Sequence, residues 1–269
     1  NDRLLFSDVH RNHIIQWKEG VGQSIFMEPA GYTGVTPHPG GKGSNGLTYD
    51  NEGNLLICEH GDRRISMLTQ GGGKRTVVDN YKGKRLNSPN DLCVASNGDI
   101  YFTDPAYGLM KGWDDPLKEL DFSGVYLLRT TGELVLLVSD LRAPNGVCLS
   151  PDEKTLYIAN ANTDWIGYMA YPLNDDGMVG TGWKLYDATA DGKKQQGGPD
   201  GMRVDTQGNI WATGPGGVYV FSPEGDVLGK IETGERIANC TFGEDGSVLY
   251  LTSDMYLCRI QTSVKGMGF

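Results

Sequence analysis

The sequence has no long hydrophobic run and no block of basic residues. No apolar stretch approaches the ~20 residues that a membrane-spanning helix requires. The formal net charge is −10, and the lysines and arginines are scattered, which argues against nucleic acid and anionic membrane surfaces as partners. No secretory signal is visible at the first residues. We therefore expect a cytoplasmic location, with the periplasm as the alternative.

Paired cysteines and the common catalytic motifs are missing too. The five cysteines occur singly and never as CxxC, which argues against a disulfide framework and favours buried free thiols. The four histidines do not have the spacing of a metal site. The chain contains no GxSxG, no HExxH, no P-loop and no GxGxxG after a strand.

Glycine, by contrast, is abundant. The chain has 39 glycines in 269 residues, about twice the usual ~7% share. They separate many short apolar runs, a pattern that predicts many turns and therefore many strands. No segment has an apolar stripe of helical period over three turns. The composition therefore favours an all-β protein.

Five segments of the chain resemble one another. Each opens with Asn or Asp and continues as a short apolar strand, a turn, a second strand rich in Leu, Ile, Tyr and Trp, a polar loop and a third strand. We call the first residues of these repeats the opening residues: Asn45, Asn90, Asn145, Asp200 and Asn239. They lie between 39 and 55 residues apart, which is the length of a β-propeller repeat.

The first residues of the chain supply part of a sixth repeat. The stretch "NDRLLFSDVHRNHIIQW" matches the second and third strands of the other repeats. We therefore predict an all-β, six-bladed β-propeller with four-stranded antiparallel blades. We expect a single domain over residues 1–269, in which the first blade lacks its innermost strand in this chain.

The propeller geometry gives the opening residues a meaning. The first strand of each blade lines the central channel, so equivalent positions are expected to converge there. Amide and carboxylate oxygens suit a hard cation, Ca²⁺ first and Mg²⁺ or Mn²⁺ next. Asp200, in "GGPDGM", would be the anionic ligand, with Gly201 allowing close backbone packing. The alternative is that Asn and Asp are simply favoured where a turn enters a strand.

The loop after each second strand is expected to return to the same end of the propeller, because strands alternate in direction. These loops hold candidate substrate-binding residues, namely His60, Asp104, Tyr107 and Asn160. Arg85, shortly before Asn90, could hold a hydroxylated or anionic substrate, or be a surface charge. The insert 109–124, with Trp113, is longer than a tight turn and predicts a lid or pocket wall, with a solvated excursion as the alternative.

Three stretches resemble the bacterial gluconolactonase branch of the SMP-30/gluconolactonase/LRE-like family. They are "RLNSPNDLCVASNGDIYFTDPAYGL" (85–109), "APNGVCLSPDEKTLYIAN" (143–160) and "GGPDGMRVDTQGNIW" (197–211), and the likeness continues in order through 238–253. The resemblance implies a six-bladed propeller with one divalent cation, often Ca²⁺ or Zn²⁺. It also implies hydrolysis of sugar-derived lactones and, in some relatives, of organophosphates.

The resemblance also assigns individual residues. The metal-binding asparagine of the family's "PNG" motif falls on Asn145, and the metal-binding aspartate of its "PDGM" motif falls on Asp200. The asparagine of "PND", close to metal and substrate, falls on Asn90. The family's first ligand is a glutamate in an "EGP" motif before the first strand, and the opening "NDRLLFSDV" does not contain it.

Our first hypothesis is a metal-dependent lactonase. In it Asn90, Asn145 and Asp200 bind the cation and Asp200 also acts as general base. Substrate contacts would come from Asn90, His60, Arg85, Asp104, Tyr107 and Asn160. The alternatives are a phosphotriesterase that uses the same site and a non-catalytic propeller that serves as a binding scaffold.

Overall fold

The computed structural model describes residues 3–38, 41–162 and 164–268. They form two compact units, Asn1–Arg142 and Ala143–Phe269. Each unit contains three small antiparallel sheets in which strands that are consecutive in the chain are neighbours. Within the described ranges, helix is limited to one 3-10 turn, Gly112–Asp114, and one short α-helix, α1 (Thr189–Gly192). Neither helix is long and apolar enough to cross a membrane.

The first unit contains three sheets and a small ribbon. The first sheet joins β1 (Leu4–Asp8), β2 (His13–Lys18) and β3 (Gly22–Met27). The second joins β4 (Ser44–Tyr49), β5 (Leu55–Glu59), β6 (Arg64–Leu68) and β7 (Lys74–Val78). The ribbon β8 (Asn80–Tyr81) and β9 (Lys84–Arg85) precedes the third sheet, which joins β10 (Leu92–Val94), β11 (Ile100–Asp104), β12 (Gly124–Leu128) and β13 (Leu134–Val138).

The second unit repeats the same plan. Its first sheet joins β14 (Pro144–Leu149), β15 (Thr155–Asn162), β16 (Trp165–Pro172) and β17 (Trp183–Asp187). The next joins β18 (Met202–Val204), β19 (Ile210–Gly214), β20 (Gly217–Phe221) and β21 (Val227–Ile231). The last joins β22 (Ile237–Gly243), β23 (Val248–Ser253) and β24 (Tyr256–Gln261).

Four of the six sheets have four strands, as predicted, and the first and last have three in the described residues. The three-stranded first sheet was expected. Its β1–β2 turn ends at Asn12 with a φ of 63°, and the β5–β6 turn of a four-stranded sheet ends at Arg63 with a φ of 57°. The matching turns identify β1 and β2 as the equivalents of second and third strands. The three-stranded last sheet differs from the prediction of four strands in every complete blade.

The apolar strands are buried on both faces. All residues of β5, β11, β12 and β19 are buried, whereas the outer strand β7 is partly exposed. In the first unit Leu56, Phe102 and Tyr126 belong to one core cluster of the second and third sheets. In the second unit Met202, Tyr168 and Phe221 share another. Because successive sheets pack face to face, both faces of these strands are buried. Their sequences are therefore continuous apolar runs and do not alternate strictly between apolar and polar residues.

Candidate active site

In the second to sixth sheets the opening residues lie at the start of the first strand, opposite the end of the second strand. We call this the entry end of the sheet. In the third sheet the Asn90 amide donates to the Thr103 carbonyl at 2.8 Å, and in the fifth the Asp200 amide donates to the Thr213 carbonyl at 3.4 Å. The antiparallel register therefore brings each loop after a second strand beside the opening residue of the same sheet, as the repeat predicts.

Glycines allow the opening residues of the second unit to pack closely. A Cβ atom on Gly146 would lie 2.0 Å from the carbonyl oxygen of Asp200. A Cβ atom on Gly201 would lie 2.1 Å from Oδ1 of Asn239. Both distances are far below van der Waals contact. At Gly146 the overlap is with backbone, so only glycine fits there, whereas at Gly201 it is with the Asn239 side chain. The Asn-Gly and Asp-Gly pairs of the repeats thus reflect close approach of neighbouring first strands.

The Asn145 side chain contacts Pro199, the residue that precedes Asp200. The buried Asn145 side chain donates from Nδ2 to the Pro199 carbonyl at 3.2 Å, which leaves its oxygen as the atom suited to a cation. Asp200 is half-buried. An amide oxygen and a carboxylate are donors that hard cations accept, so these two residues fit such an ion in their chemistry. Across the described ranges, no group of three His, Cys, Asp or Glu side chains could hold a metal.

Asn90 occupies the corresponding position in the first unit. It is 3% exposed, and its carbonyl accepts a hydrogen bond from the Gly46 amide at 2.7 Å. A Cβ atom on Gly46 would lie 2.7 Å from that carbonyl oxygen and from Oδ1 of Asp91. Because Asn90 belongs to the first unit and Asn145 and Asp200 to the second, the three-residue metal site stays a prediction.

His60 is buried at the entry end of the second sheet, with 3% exposure. Its Nδ1 lies 3.2 Å from the Gly41 carbonyl oxygen, and its Nε2 lies 3.3 Å from Nδ2 of Asn45. Burial lowers the pKa of His60 to about 4, with a smaller lowering from the neighbouring His38. The ring is therefore neutral at physiological pH, and both of its nitrogens are engaged within the protein.

Asp104 is fully buried at the end of β11. Its two carboxylate oxygens accept hydrogen bonds from the backbone amides of Asn87 and Ser88, each at 2.7 Å. Burial raises the pKa of Asp104 to about 7, and the two backbone amides and the nearby Arg63 oppose that rise. The carboxylate thus holds the segment that leads into Asn90, a geometry that favours a structural role over substrate contact.

Arg63 was not among the sequence-predicted site residues. It is 6% exposed, and its Nε donates to the carbonyls of Leu86 at 2.7 Å and Asn87 at 3.1 Å. Its Nη1 donates to the Leu117 carbonyl at 2.9 Å. One guanidinium therefore ties the loop after β5 to two other segments of the unit. The sequence shows only the doublet Arg63–Arg64 in a polar loop, without a sign of which arginine is buried.

Arg85 lies on the surface beside the same loops. Its backbone amide donates to Oε2 of Glu119, and its Nη2 donates to the Asp62 carbonyl, both at 2.8 Å. The residue is exposed, so it remains accessible to a substrate. These contacts fix the start of the segment that carries Asn90.

The insert 109–124 is pinned to the unit at several points. Trp113 donates from Nε1 to the Arg142 carbonyl at 2.8 Å and to Oγ of Ser123 at 3.1 Å. The Tyr107 ring meets the Trp113 ring edge-on, with 5.3 Å between centroids. A cavity of about 350 Å³ lies between the insert and residues 139–142, and Lys118, Asp121 and Arg142 are among its lining side chains. These contacts are those of a fixed pocket wall. The sequence predicted either a lid or a pocket wall for this insert.

Asn160 lies at the entry end of the fourth sheet, in the second unit. It is buried, its Oδ1 accepts from the Ala143 amide at 3.4 Å, and its Nδ2 donates to the Trp165 carbonyl at 2.8 Å. Its amide therefore closes the β15–β16 turn onto the start of β14. As with Asp104, these bonds favour an internal role.

Comparison with known proteins finds one family model and one curated relative that match most of the chain. The family model described as "SMP-30/Gluconolactonase/LRE-like region" matches residues 1–255. A gluconolactonase from Zymomonas mobilis is 39% identical over 272 residues, covering 98% of this chain and 76% of the relative.

Solved structures show the same likeness. A gluconolactonase of Xanthomonas campestris superposes with a TM-score of 0.82 at 30% identity, over 98% of this chain and 82% of that chain. A structural-genomics target assigned to the gluconolactonases gives a TM-score of 0.85 at 31% identity, over 100% of this chain and 87% of that chain. The six sheets and these likenesses confirm the predicted class, an all-β, six-bladed β-propeller.

Proposed function

The chain belongs to the SMP-30/gluconolactonase/LRE-like family, and from this premise we propose that it hydrolyses sugar-derived lactones with the help of one divalent cation. The observation that carries the proposal is the 39% identity to the Zymomonas gluconolactonase over 98% of this chain. The close packing of the polar opening residues within each unit supports the same proposal.

Lactone hydrolysis needs a water activated by a base and a polarised carbonyl group. The water oxygen bonds to the carbonyl carbon, the ring carbon–oxygen bond breaks, and the product is a hydroxy acid. A divalent cation in the site supplies Lewis-acid polarisation of the lactone carbonyl. Asn90, Asn145 and Asp200 would hold that cation, with Ca²⁺ the first candidate because all three offer oxygen donors.

Asp200 is the proposed general base. It is the only carboxylate among the opening residues, and it is half-buried rather than enclosed, so water can reach it. Its carboxylate would take the proton of the attacking water and return it to the alkoxide of the opened ring. The exposed Arg85 and the half-buried Tyr107 are proposed to contact the substrate's polar groups. The internal bonds of Asp104 and Asn160 support a role for those two residues in holding the loops.

The test is a proton-release assay on glucono-δ-lactone, with metal analysis of the same protein. We expect activity in the wild type, loss on chelation and recovery on addition of Ca²⁺, Zn²⁺ or Mn²⁺. Asp200→Ala is expected to lower kcat/KM by about 1,000-fold and to lower the bound metal as well. Asp175→Ala, at an exposed turn of the same unit, serves as the matched control.

The outcomes separate the parts of the proposal. A metal-loaded wild type without lactonase activity would refute the function, and rates on phosphotriesters would then show whether the alternative substrate class applies. Full activity of Asp200→Ala would refute the proposed role of Asp200 but would leave the lactonase function standing. Activity that survives complete chelation would refute the cofactor.

A further inference from the structure

The pair formed by His60 and Asn45 has a fixed hydrogen-bond direction. The Gly41 carbonyl oxygen can only accept, so Nδ1 of His60, 3.2 Å away, carries the ring proton. Burial lowers the pKa of His60 to about 4, so the ring is neutral and Nε2 is an acceptor. The Asn45 group 3.3 Å from Nε2 must then be the NH₂ donor, as Nδ2 is placed. The amide oxygen of Asn45 therefore points away from the ring.

The ring that sets this direction is held from several sides. The His60 backbone amide donates to the Gly43 carbonyl at 3.1 Å. A Cβ atom on Gly108 would lie 2.6 Å from Cβ of His60 and 2.7 Å from Cβ of Ser88, so the loop after β11 lies directly on the histidine. Ser88 Oγ in turn accepts from the Gly108 amide at 2.8 Å. The backbone and Cβ of His60 are therefore held by two loops, while the contacts of Nδ1 with the Gly41 carbonyl and of Nε2 with Asn45 orient the ring.

Asn45 itself lies beside Asn90. Its carbonyl accepts from Ser7 Oγ at 2.7 Å, and the amide of the next residue, Gly46, donates to the Asn90 carbonyl at 2.7 Å. The two opening residues of this unit are thus on adjoining first strands at the same end. Asn45 is half-buried rather than enclosed, so its side chain can be reached by a small molecule.

We propose that Asn45 is a further substrate-binding residue, whose amide oxygen accepts a hydrogen bond from a hydroxyl group of the lactone, and that His60 is the positioning residue that holds this oxygen outward. The proposal rests on the proposed lactonase function and deepens it. An amide oxygen accepts but cannot donate, so its partner must be a donor, and the ring hydroxyls of a sugar lactone are donors. His60 then acts through Asn45, since its own nitrogens are both engaged.

The inference predicts selectivity for hydroxylated lactones. We would measure kcat/KM on glucono-δ-lactone and on δ-valerolactone, which has the same ring without hydroxyl groups. Asn45→Ala should lower the ratio of the two values by about 10-fold, since one hydrogen bond is lost with the first substrate alone. His60→Gln, which lets the Asn45 amide turn either way, should lower it by about 3-fold. Asn174→Ala, on an exposed turn, is the control.

Each outcome decides something. A wild type inactive on both lactones would refute the proposed function. An active wild type whose selectivity is unchanged in Asn45→Ala would overturn the inference and leave the function standing. Equal losses on both lactones, together with less bound metal, would also overturn it by making Asn45 a cation ligand. Thermal unfolding of each variant separates these results from loss of the fold, and His60→Gln keeps the test open if Asn45→Ala does not fold.

Discussion

The two units hold their opening residues by different means. In the second unit Asp200 and Asn239 are packed against Gly146 and Gly201, with almost no space between neighbouring first strands. The first unit has one such contact, at Gly46, and in addition has three buried ionisable side chains at the entry ends of its sheets: His60, Arg63 and Asp104. In the second unit, within its described residues, the buried charged side chain is Asp205, which follows β18 at its other end.

This difference separates two ways of placing a polar side chain. Close backbone packing fixes a residue by excluded volume, which does not depend on pH. Buried ionisable groups fix it by hydrogen bonds, and these depend on protonation. Substitutions at the entry ends should therefore act through steric overlap in the second unit and through proton binding in the first.

The largest effect is expected where a side chain meets backbone. Gly146→Ala would place a methyl group 2.0 Å from the Asp200 carbonyl oxygen, and backbone cannot move aside cheaply. We expect a loss of about 3 kcal/mol in the free energy of unfolding and a displaced Asp200, hence a large fall in kcat/KM. Urea unfolding and the lactone assay measure both. Gly229→Ala, where nothing lies within 4 Å, is the control, and equal behaviour of the two variants would contradict the packing argument.

A smaller effect is expected in the pH dependence of stability, and it belongs to the first unit. Asp104 has its pKa raised to about 7, so between pH 4 and 7 the folded state binds a proton that the unfolded state lacks, and stability falls as pH rises. His60 has its pKa lowered to about 4, so between pH 4 and 6.5 the unfolded state binds the extra proton, and stability rises with pH. The two slopes oppose each other in the wild type.

Removing one group should expose the slope of the other. In Asp104→Asn only the His60 slope remains. The free energy of unfolding of this variant should therefore rise by about 1.4 kcal/mol per pH unit, relative to the wild type, as the pH increases across this window. His60→Gln should show the opposite change of similar size. Urea titrations between pH 4.5 and 6.5 provide the measurement. Parallel curves for the wild type and both variants would show that the buried groups do not titrate as their surroundings imply.

The smallest effect is expected at the insert. Trp113→Phe keeps an aromatic ring against Tyr107 but removes the indole hydrogen bonds to the Arg142 carbonyl and Ser123. We expect about 1 kcal/mol less stability and faster amide hydrogen exchange within 109–124, because the wall loses an anchor. An exchange rate equal to that of the wild type would indicate that the Arg63–Leu117 contact holds the insert by itself.

Much of the fold could be predicted because its signals are local. Alternating turns and short apolar runs around Asn90, Asn145 and Asp200 mark strand starts without any long-range information. The antiparallel order then places the following loops beside them, as the Asn90–Thr103 bond illustrates. The three strands of the last sheet were not predicted, because the repeat pattern does not specify which residues of the final segment pair.

The roles of single polar residues were harder to predict from the sequence. His60 and Asp104 were predicted to face a substrate, yet their polar atoms bond to Gly41, Asn87 and Ser88. Arg63 was missed altogether. A polar residue in a loop has the same appearance in the sequence whether its partner is a ligand or a distant carbonyl group, because the partner is chosen by the packing of other segments.

By itself, the sequence determined the class of the fold, the order of the strands and the set of opening residues, since periodicity and turn chemistry act over a few residues. Only the tertiary structure decided that Gly146 lies against the Asp200 backbone and Gly201 against the Asn239 side chain, and that His60 directs the amide of Asn45. Those properties depend on distances between residues far apart in the chain and on burial, which changes the pKa of a side chain without changing its identity.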